Sequence, residues 1–458
     1  MPQSSDKIAA ARDALFARTP RSREAATRAA EVLPLEIAGT VEMPYTVYIE
    51  SSEGAHVIDL DGNRYVDLTM GFGPHLLGHS PAIVRDAIKR QADRGWHYGI
   101  HSALQERLAR LVVEASPCAD SVVFCNSGTE ATMYALRVAR AFTGKARVAT
   151  FEGAYHGAHD YVLIQADRKS PRSEPAGKPR GRGVPPGAAQ SVMILPYRDA
   201  NAFELIERHR DELAAVMIEP VQSSNPRLDN REFLHSLADA CRRNGVLFIL
   251  DEVISGFRIA YGGCQEYYGL VPDLAAYGKT IGGGLPVGAV AGRRDVMSLF
   301  TPKPGTNAIF SGGTFSGNPL TMAAGVAAIE HIRDHRREIY PYLAEQGNRF
   351  AAAINAHCRE QGIPAQLMNA ASIFMLHFQR EPIESARDIT GALAPAARAF
   401  DLHLLNHGVI IPGIHQAFFS MAHTPAIVDQ VIDAFKQSFA DVEEDGLFTR
   451  TGVAPQGR

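Results

Sequence analysis

The sequence predicts an α/β fold built on a mainly parallel sheet, accompanied by a smaller α+β domain. Three observations predict it. From about residue 80 short apolar runs alternate with helical segments, a hairpin signal precedes them, and further helix and strand signals follow Pro319. Alternation of strand and helix is the pattern of a parallel sheet covered by helices, because parallel neighbours need long crossovers.

Taken in order, residues 7–32 carry Arg12, Arg18, Arg21, Arg23 and Arg28 among alanines, with Asp13, Glu24 and Glu31 interspersed. This spacing reads as an amphipathic surface helix rather than a transit peptide, whose composition is poor in acids. Tyr45 to Tyr65 alternates apolar and polar residues, with Asp61-Gly62 as a tight-turn signal, and predicts a β-hairpin. The apolar runs are 121–125, 146–151, 191–195, 214–218, 246–250, 274–277 and 289–292. Residues 168–187 are rich in Pro, Gly and basic side chains and read as a long surface loop. A helical stretch from Pro319 to about residue 360 and the pattern A-I-V-D-Q-V-I-D-A-F-K complete the small domain, ahead of a polar tail from Gly452. The expected division is 1–80 (N-terminal helix and hairpin, part of the small domain), 81–330 (large α/β domain) and 331–458 (C-terminal small domain).

Composition narrows the function. With 46 Lys+Arg against 50 Asp+Glu the net charge is −4, which argues against nucleic-acid binding over the whole surface. Cysteines 118, 125, 241, 264 and 358 are odd in number and contain no C-x-x-C, so neither a disulfide framework nor a metal site is encoded. A reducing cytoplasm fits this usage. No run reaches the roughly eighteen apolar residues of a membrane span, and no apolar export signal begins the chain.

Three segments carry chemistry. In F-C-N-S-G-T-E-A a strand ends at Cys125 and a helix begins near Gly128, so Ser127, Gly128 and Thr129 offer N–H groups and hydroxyls to an anion such as a phosphate. An ordinary N-cap explains the segment equally. In V-L-F-I-L-D-E-V a strand delivers Asp251 at its carboxyl end, where open α/β sheets bind ligands. Its carboxylate suits a protonated pyridine nitrogen, a metal, a ribose or a helix cap. In A-A-Y-G-K-T-I-G-G-G-L-P-V-G, Lys279 precedes the glycines, unlike the lysine of a phosphate-binding Walker loop, and becomes a Schiff-base nucleophile only if burial or nearby cations depress its pKa. A solvated lysine is the alternative.

Together the three motifs fit pyridoxal 5′-phosphate better than a nucleotide. From about residue 30 to residue 440 the sequence also resembles the class III, fold-type I pyridoxal-phosphate aminotransferases of the glutamate-1-semialdehyde aminomutase-like group. That resemblance implies that Lys279 holds the cofactor as a Schiff base and shuttles a proton, and that Asp251 keeps the pyridinium charged. It implies Tyr155 of Y-H-G on one ring face and Val253 on the other, with Glu219 of M-I-E-P-V nearby. It places Thr314 of G-G-T-F-S-G-N-P on the phosphate of a neighbouring subunit, and so implies a homodimer with shared active sites. His156 reads as a loop-orienting residue and Arg258 as a buried salt-bridge partner.

The sequence departs from the group in its substrate residues. Neither 31–48 nor 401–435 contains an arginine or lysine, so both familiar carboxylate anchors are missing. Phe72 stands where the mutases carry tryptophan, Gln416 where they carry glutamate, and Phe418 and Phe419 suggest an apolar pocket wall. The segments E-P-V-Q-S-S-N-P-R-L and F-R-I-A-Y-G-G most resemble aminotransferase domains of polyketide/peptide assembly lines, which aminate a carrier-bound β-ketoacyl thioester. An amino-acid donor and a keto, aldehyde or thioester acceptor follow, with Arg168 to Arg182 as a docking loop for an acidic acyl carrier protein or simply a solvated loop. Alternatives are a glutamate-1-semialdehyde-type 2,1-aminomutase, a free β-amino-acid transaminase and a non-catalytic scaffold.

Overall fold

The computed structural model describes residues 3–33, 47–304, 308–413 and 415–448, which fall in two compact units. The larger comprises Ala82–Pro341 and Ile383–Arg387. Its sheet contains β1 (Ser121–Cys125), β2 (Arg147–Phe151), β3 (Val192–Leu195), β4 (Leu213–Ile218), β5 (Leu247–Asp251), β6 (Leu274–Gly278) and β7 (Gly288–Gly292), in the order β1-β7-β6-β5-β4-β2-β3. These are the seven apolar runs of the sequence. Pairs β6/β5, β5/β4, β4/β2 and β2/β3 are parallel, whereas β7 runs antiparallel to both β6 and β1. The reversal of β7 has a covalent cause, since the chain between Gly278 and Gly288 is too short for a parallel crossover.

Every residue of β4 and of β5 is buried, as central strands of a largely parallel sheet require. The helix Gly128–Thr143 packs on the sheet through Ala131, Tyr134, Ala135, Leu136, Val138 and Ala139. Ser127 starts it as N-cap, its Oγ accepting the Glu130 N–H at 3.2 Å, and Gly144 ends it in the left-handed region at φ 70°. Glycine is required at the start of β7, because a Cβ on Gly288 would sit 2.0 Å from the Ser127 carbonyl oxygen.

The stretch 168–187 is more ordered than its composition predicts. Gly177–Pro179 pairs antiparallel with Ile164–Ala166, a two-stranded ribbon whose edges tolerate Pro179, and Pro186–Gln190 forms a short helix. The segment Ile383–Arg387 is tied to the larger unit by ion pairs of Arg227 with Glu384 and of Arg387 with Glu152.

The smaller unit comprises Met1–Pro81, Tyr342–Pro382 and Asp388–Arg458. The expected N-terminal helix is two, Gln3–Arg18 and Pro20–Ala29, interrupted at Thr19 with φ −128°, where Pro20 opens the second. Strands Ile49–Glu53, His56–Asp59 and Arg64–Asp67 form an antiparallel meander, extended by Val409–Ile410 parallel to the third. The Asp61-Gly62 turn joins the second to the third, and Asp59 Oδ1 accepts the N–H groups of Asp61 and Asn63. The start of the predicted hairpin, most of the arginine-free stretch 31–48 and the polar tail lie outside the described residues.

A second sheet of Gln366–Ala370, Ile373–His377 and Ala417–Phe418 covers a core of Phe350, Phe374, Phe400, Phe435 and Phe439. Phe418 and Phe419 are both fully buried, and the Phe419 ring lies 5.2 Å from Phe350 and 4.9 Å from Phe374. They are core residues, which corrects their reading as pocket wall. The apolar sequence pattern is the same for either place. Among the described residues no helix is long and apolar enough to cross a membrane, all five cysteines are free and buried, and no cluster of three His/Cys/Asp/Glu could hold a metal.

Candidate active site

Because β1, β2, β4, β5 and β6 all point one way, their carboxyl ends share one edge of the sheet. That edge carries Ser127-Gly128-Thr129, Tyr155-His156, Glu219, Asp251-Val253 and Lys279. Brought together by topology, these residues come from five separate stretches of sequence, as ligand sites in open α/β sheets do.

Asp251 ends β5 with its side chain buried. Its Oδ1 accepts the Val253 N–H at 3.0 Å, and its Oδ2 lies 2.6 Å from Nδ1 of the equally buried His156. Burial alone would neutralise His156, but its hydrogen bond to Asp251 and the charges of Asp251 and Glu219 outweigh burial and raise its pKa. Glu219 follows β4 and accepts the Tyr155 N–H at 2.9 Å and the Ser223 hydroxyl at 3.1 Å. Burial pushes its carboxyl up to about 7, with Asp251 adding and His156 opposing. His156 thus does more than orient its loop, since it is the ion-pair partner of Asp251.

Lys279 follows β6 directly and sits in the left-handed region at φ 52°, a strained conformation for a residue with a side chain. It is half-buried by solvent exposure, yet crowded enough that burial pulls its amine down to about 8. The guanidinium of Arg258 lowers it further, while Asp251 and Glu219 work in the opposite sense. Arg258 is itself fully buried, and burial takes its own pKa down to about 9. Its charge reaches Lys279, an effect that sequence spacing gives no means of seeing.

The start of helix Gly128–Thr143 resolves the ambiguity left by the sequence in part. Ser127 Oγ serves its own helix as N-cap, and Glu130 closes back onto the Asn126 N–H at 2.6 Å. What remains for an anion there is the backbone N–H groups of the first turn. Gly128 lies against Val253, where a Cβ would come within 2.7 Å of Cγ1, and Thr129 Oγ1 accepts the Ala158 N–H at 3.2 Å. Tyr155 is 44% exposed, so its ring is available to a ligand. Thr314 is exposed in a loop beside this helix start, where Ser316 Oγ meets Asn126 Nδ2 at 3.3 Å.

Phe72 and Gln416 belong to the smaller unit. Phe72 is half-buried at φ 65° with its ring 5.1 Å from that of His415, and Gln416 is fully buried.

The donor set of the larger unit suits a ligand with an anionic tail, a protonatable ring nitrogen and an electrophilic carbonyl carbon. A helix N-terminus would suit the tail, a buried carboxylate held by a histidine the nitrogen, and an amine with a depressed pKa the carbon. A Cβ at Gly128 would close the space between that helix start and Val253.

Comparison with known proteins agrees with this geometry. Residues 37–442 match the family model "Aminotransferase class-III". The chain is 36% identical to the glutamate-1-semialdehyde 2,1-aminomutase of Methanosarcina acetivorans over 91% of its own length and 98% of the relative's. Among solved structures, an omega-transaminase from Sphaerobacter thermophilus superposes with a TM-score of 0.87 at 34% identity, covering 92% of this chain and 98% of that one. A β-phenylalanine aminotransferase from Variovorax paradoxus does so with a TM-score of 0.85 at 30% identity, covering 95% and 97%. The chain therefore belongs to the class III aminotransferases, enzymes of fold type I whose cofactor is pyridoxal 5′-phosphate.

Proposed function

We propose that this protein transfers an amino group from an amino-acid donor to a keto or aldehyde acceptor, with the cofactor held at the carboxyl edge of the large sheet. The observation that carries this reading is the juxtaposition of Lys279, its amine depressed to about 8, with the buried His156–Asp251 pair. When bound, pyridoxal 5′-phosphate supplies an electron sink that makes the carbon bearing the amine acidic.

The chain's own residues do the rest. Lys279 would hold the cofactor through its Nζ, and the same amine would take up and return the substrate proton as general base and acid. A pKa near neutrality serves both directions of that transfer. Asp251 would accept a hydrogen bond from the ring nitrogen, and His156 holds its carboxylate in place through Oδ2. The first turn of Gly128–Thr143, with Ser127 and Thr129, would hold the phosphate, and Tyr155 and Val253 would hold the ring. Glu219 fixes the Tyr155 backbone. Thr314, exposed beside the helix start, would reach the phosphate of a second copy in a homodimer.

For the acceptor, the absence of basic residues from 31–48 and 401–435 favours a carbonyl compound without a free carboxylate, of which a β-ketoacyl thioester on an acidic carrier protein is one. Five reduced, buried cysteines suit a cytoplasmic enzyme. The similarity to the Methanosarcina acetivorans aminomutase supports a second reading, an intramolecular amine shift. Incubating the cofactor-loaded protein with alanine and a panel of aldehydes and keto compounds separates the two: a transaminase needs both partners and releases pyruvate, whereas a mutase releases none.

A further inference from the structure

Among the described residues, Nε2 of His156 and both ring nitrogens of His159 are shut off from solvent without a hydrogen-bond partner in the protein. A buried polar atom without a partner costs free energy, and three of them in one loop call for a polar group between them. Their protonation states are complementary. His156 has its pKa raised, because its hydrogen bond to Asp251 and the charges of Asp251 and Glu219 outweigh burial, so its Nε2 carries a proton to donate. Burial pulls His159 down to about 4, helped by the charge of His156 and then by those of Arg140 and Arg137. His159 is therefore neutral, and one of its nitrogens is an acceptor.

The loop that carries both rings is fastened to the helix Gly128–Thr143. Thr132 Oγ1 donates to the His156 carbonyl at 2.6 Å, and Thr129 Oγ1 accepts the Ala158 N–H at 3.2 Å. Gly157 permits this approach at φ 102°, since a Cβ there would lie 2.5 Å from Thr129 Oγ1. Beyond it the His159 carbonyl accepts the Val162 N–H at 3.0 Å, and the Arg140 guanidinium carbon lies 4.0 Å from the centre of the Tyr161 ring. The cations that act on His159, Arg137 and Arg140, belong to that helix, whereas the acids that act on His156, Asp251 and Glu219, stand at the ends of β5 and β4.

We propose that His159 is a positioning residue for Asp251: neutral and fixed by its loop, it accepts the Nε2 proton of His156 through one bridging water and so keeps His156 charged and oriented against the carboxylate. A water fits the observations because the two rings make no direct hydrogen bond, and a buried water needs at least two polar partners, which these nitrogens supply. A hydrogen bond to a charged donor is also among the stronger ones. This deepens the reading of Asp251 as the partner of the cofactor's ring nitrogen and rests on it.

The test is a stability cycle on the cofactor-loaded enzyme, a readout independent of turnover. The melting-temperature gap caused by His156→Gln is followed against pH in the wild type, in His159→Phe, which has no acceptor, and in His159→Asn, which keeps one. Without the acceptor the charged imidazole is less supported, so the pH at which the gap closes should fall by about one unit in His159→Phe and stay near the wild-type value in His159→Asn. A merely structural histidine would lower melting temperatures without moving that pH, and His159→Leu replaces His159→Phe should the latter not fold. A crystal structure of the loaded enzyme should show an ordered water within hydrogen-bond reach of His156 Nε2 and a ring nitrogen of His159. An unmoved closing pH in His159→Phe, equal shifts in His159→Phe and His159→Asn, or no water at that place overturns the proposal while leaving transamination intact. The expected shift in an enzyme that transfers no amine supports the part assigned to His159 and removes the transaminase reading.

Discussion

The Nδ1 of His156 and the Oδ2 of Asp251 stand 2.6 Å apart with both side chains buried. The raised pKa of His156 sets a cation against the carboxylate at the end of β5. Asp251→Asn keeps the shape and removes the charge. It should retain the fold by circular dichroism and lower kcat by roughly a hundred- to a thousandfold, the size of effect of one well-placed electrostatic group. Activity within a factor of a few of wild type would refute the assigned role.

His156 gives this pair a pH signature. Its pKa in the folded protein is raised above 6.5, so the stability it contributes is fully present below that value and is lost as pH rises through the raised folded pKa. The melting-temperature gap between wild type and His156→Gln should therefore be widest below pH 6.5 and shrink as pH rises above it. A gap that grows with pH would mean that the histidine is neutral in the fold.

Lys279 should behave as an amine of pKa about 8 rather than as an ordinary lysine of 10.5. Cofactor uptake by the stripped enzyme, followed by absorbance, should accelerate with pH and level off just above that value. Because Arg258 contributes to the depression, Arg258→Gln should move the midpoint upward. A wild-type midpoint near that of a solvated lysine would contradict the burial of the amine.

Glu152 and Arg387 form a buried ion pair at 2.6 Å, with side-chain exposures of 6% and 7%. Arg387→Ala leaves a buried carboxylate uncompensated and should cost about 3–5 kcal/mol in unfolding free energy. The double variant Glu152→Gln/Arg387→Met should regain most of that loss in denaturant titrations. A single variant as stable as the wild type would show that water reaches Glu152.

How far the sequence reveals such features depends on whether they are local. All seven strands of the large sheet are legible as apolar runs, and Asp251 and Lys279 are legible because each sits at the end of one. The direction of β7 is not written in its apolar residues, and follows from the shortness of the chain before it. Phe419 looks alike as core or pocket wall until the packing of Phe350 and Phe374 is known. The contacts of His156 with Asp251 and of Arg180 with Tyr155 join residues from different strand ends or loops, which no spacing rule connects. The ordering of Gly177–Pro179 was hidden by prolines and glycines, since composition does not show that residues 164–166 provide a pairing edge.

The central claim is that Lys279 carries the cofactor through a reversible amine transfer. It is tested most directly by following the near-visible absorbance of the cofactor-loaded wild type and of Lys279→Ala, first with alanine added and then with an aldehyde acceptor. The account predicts that alanine bleaches the wild-type band with one equivalent of pyruvate released, that the acceptor restores it, and that Lys279→Ala shows neither change at a comparable rate. A wild-type band that no amino acid alters, or a Lys279→Ala protein that cycles as fast as the wild type, would contradict it.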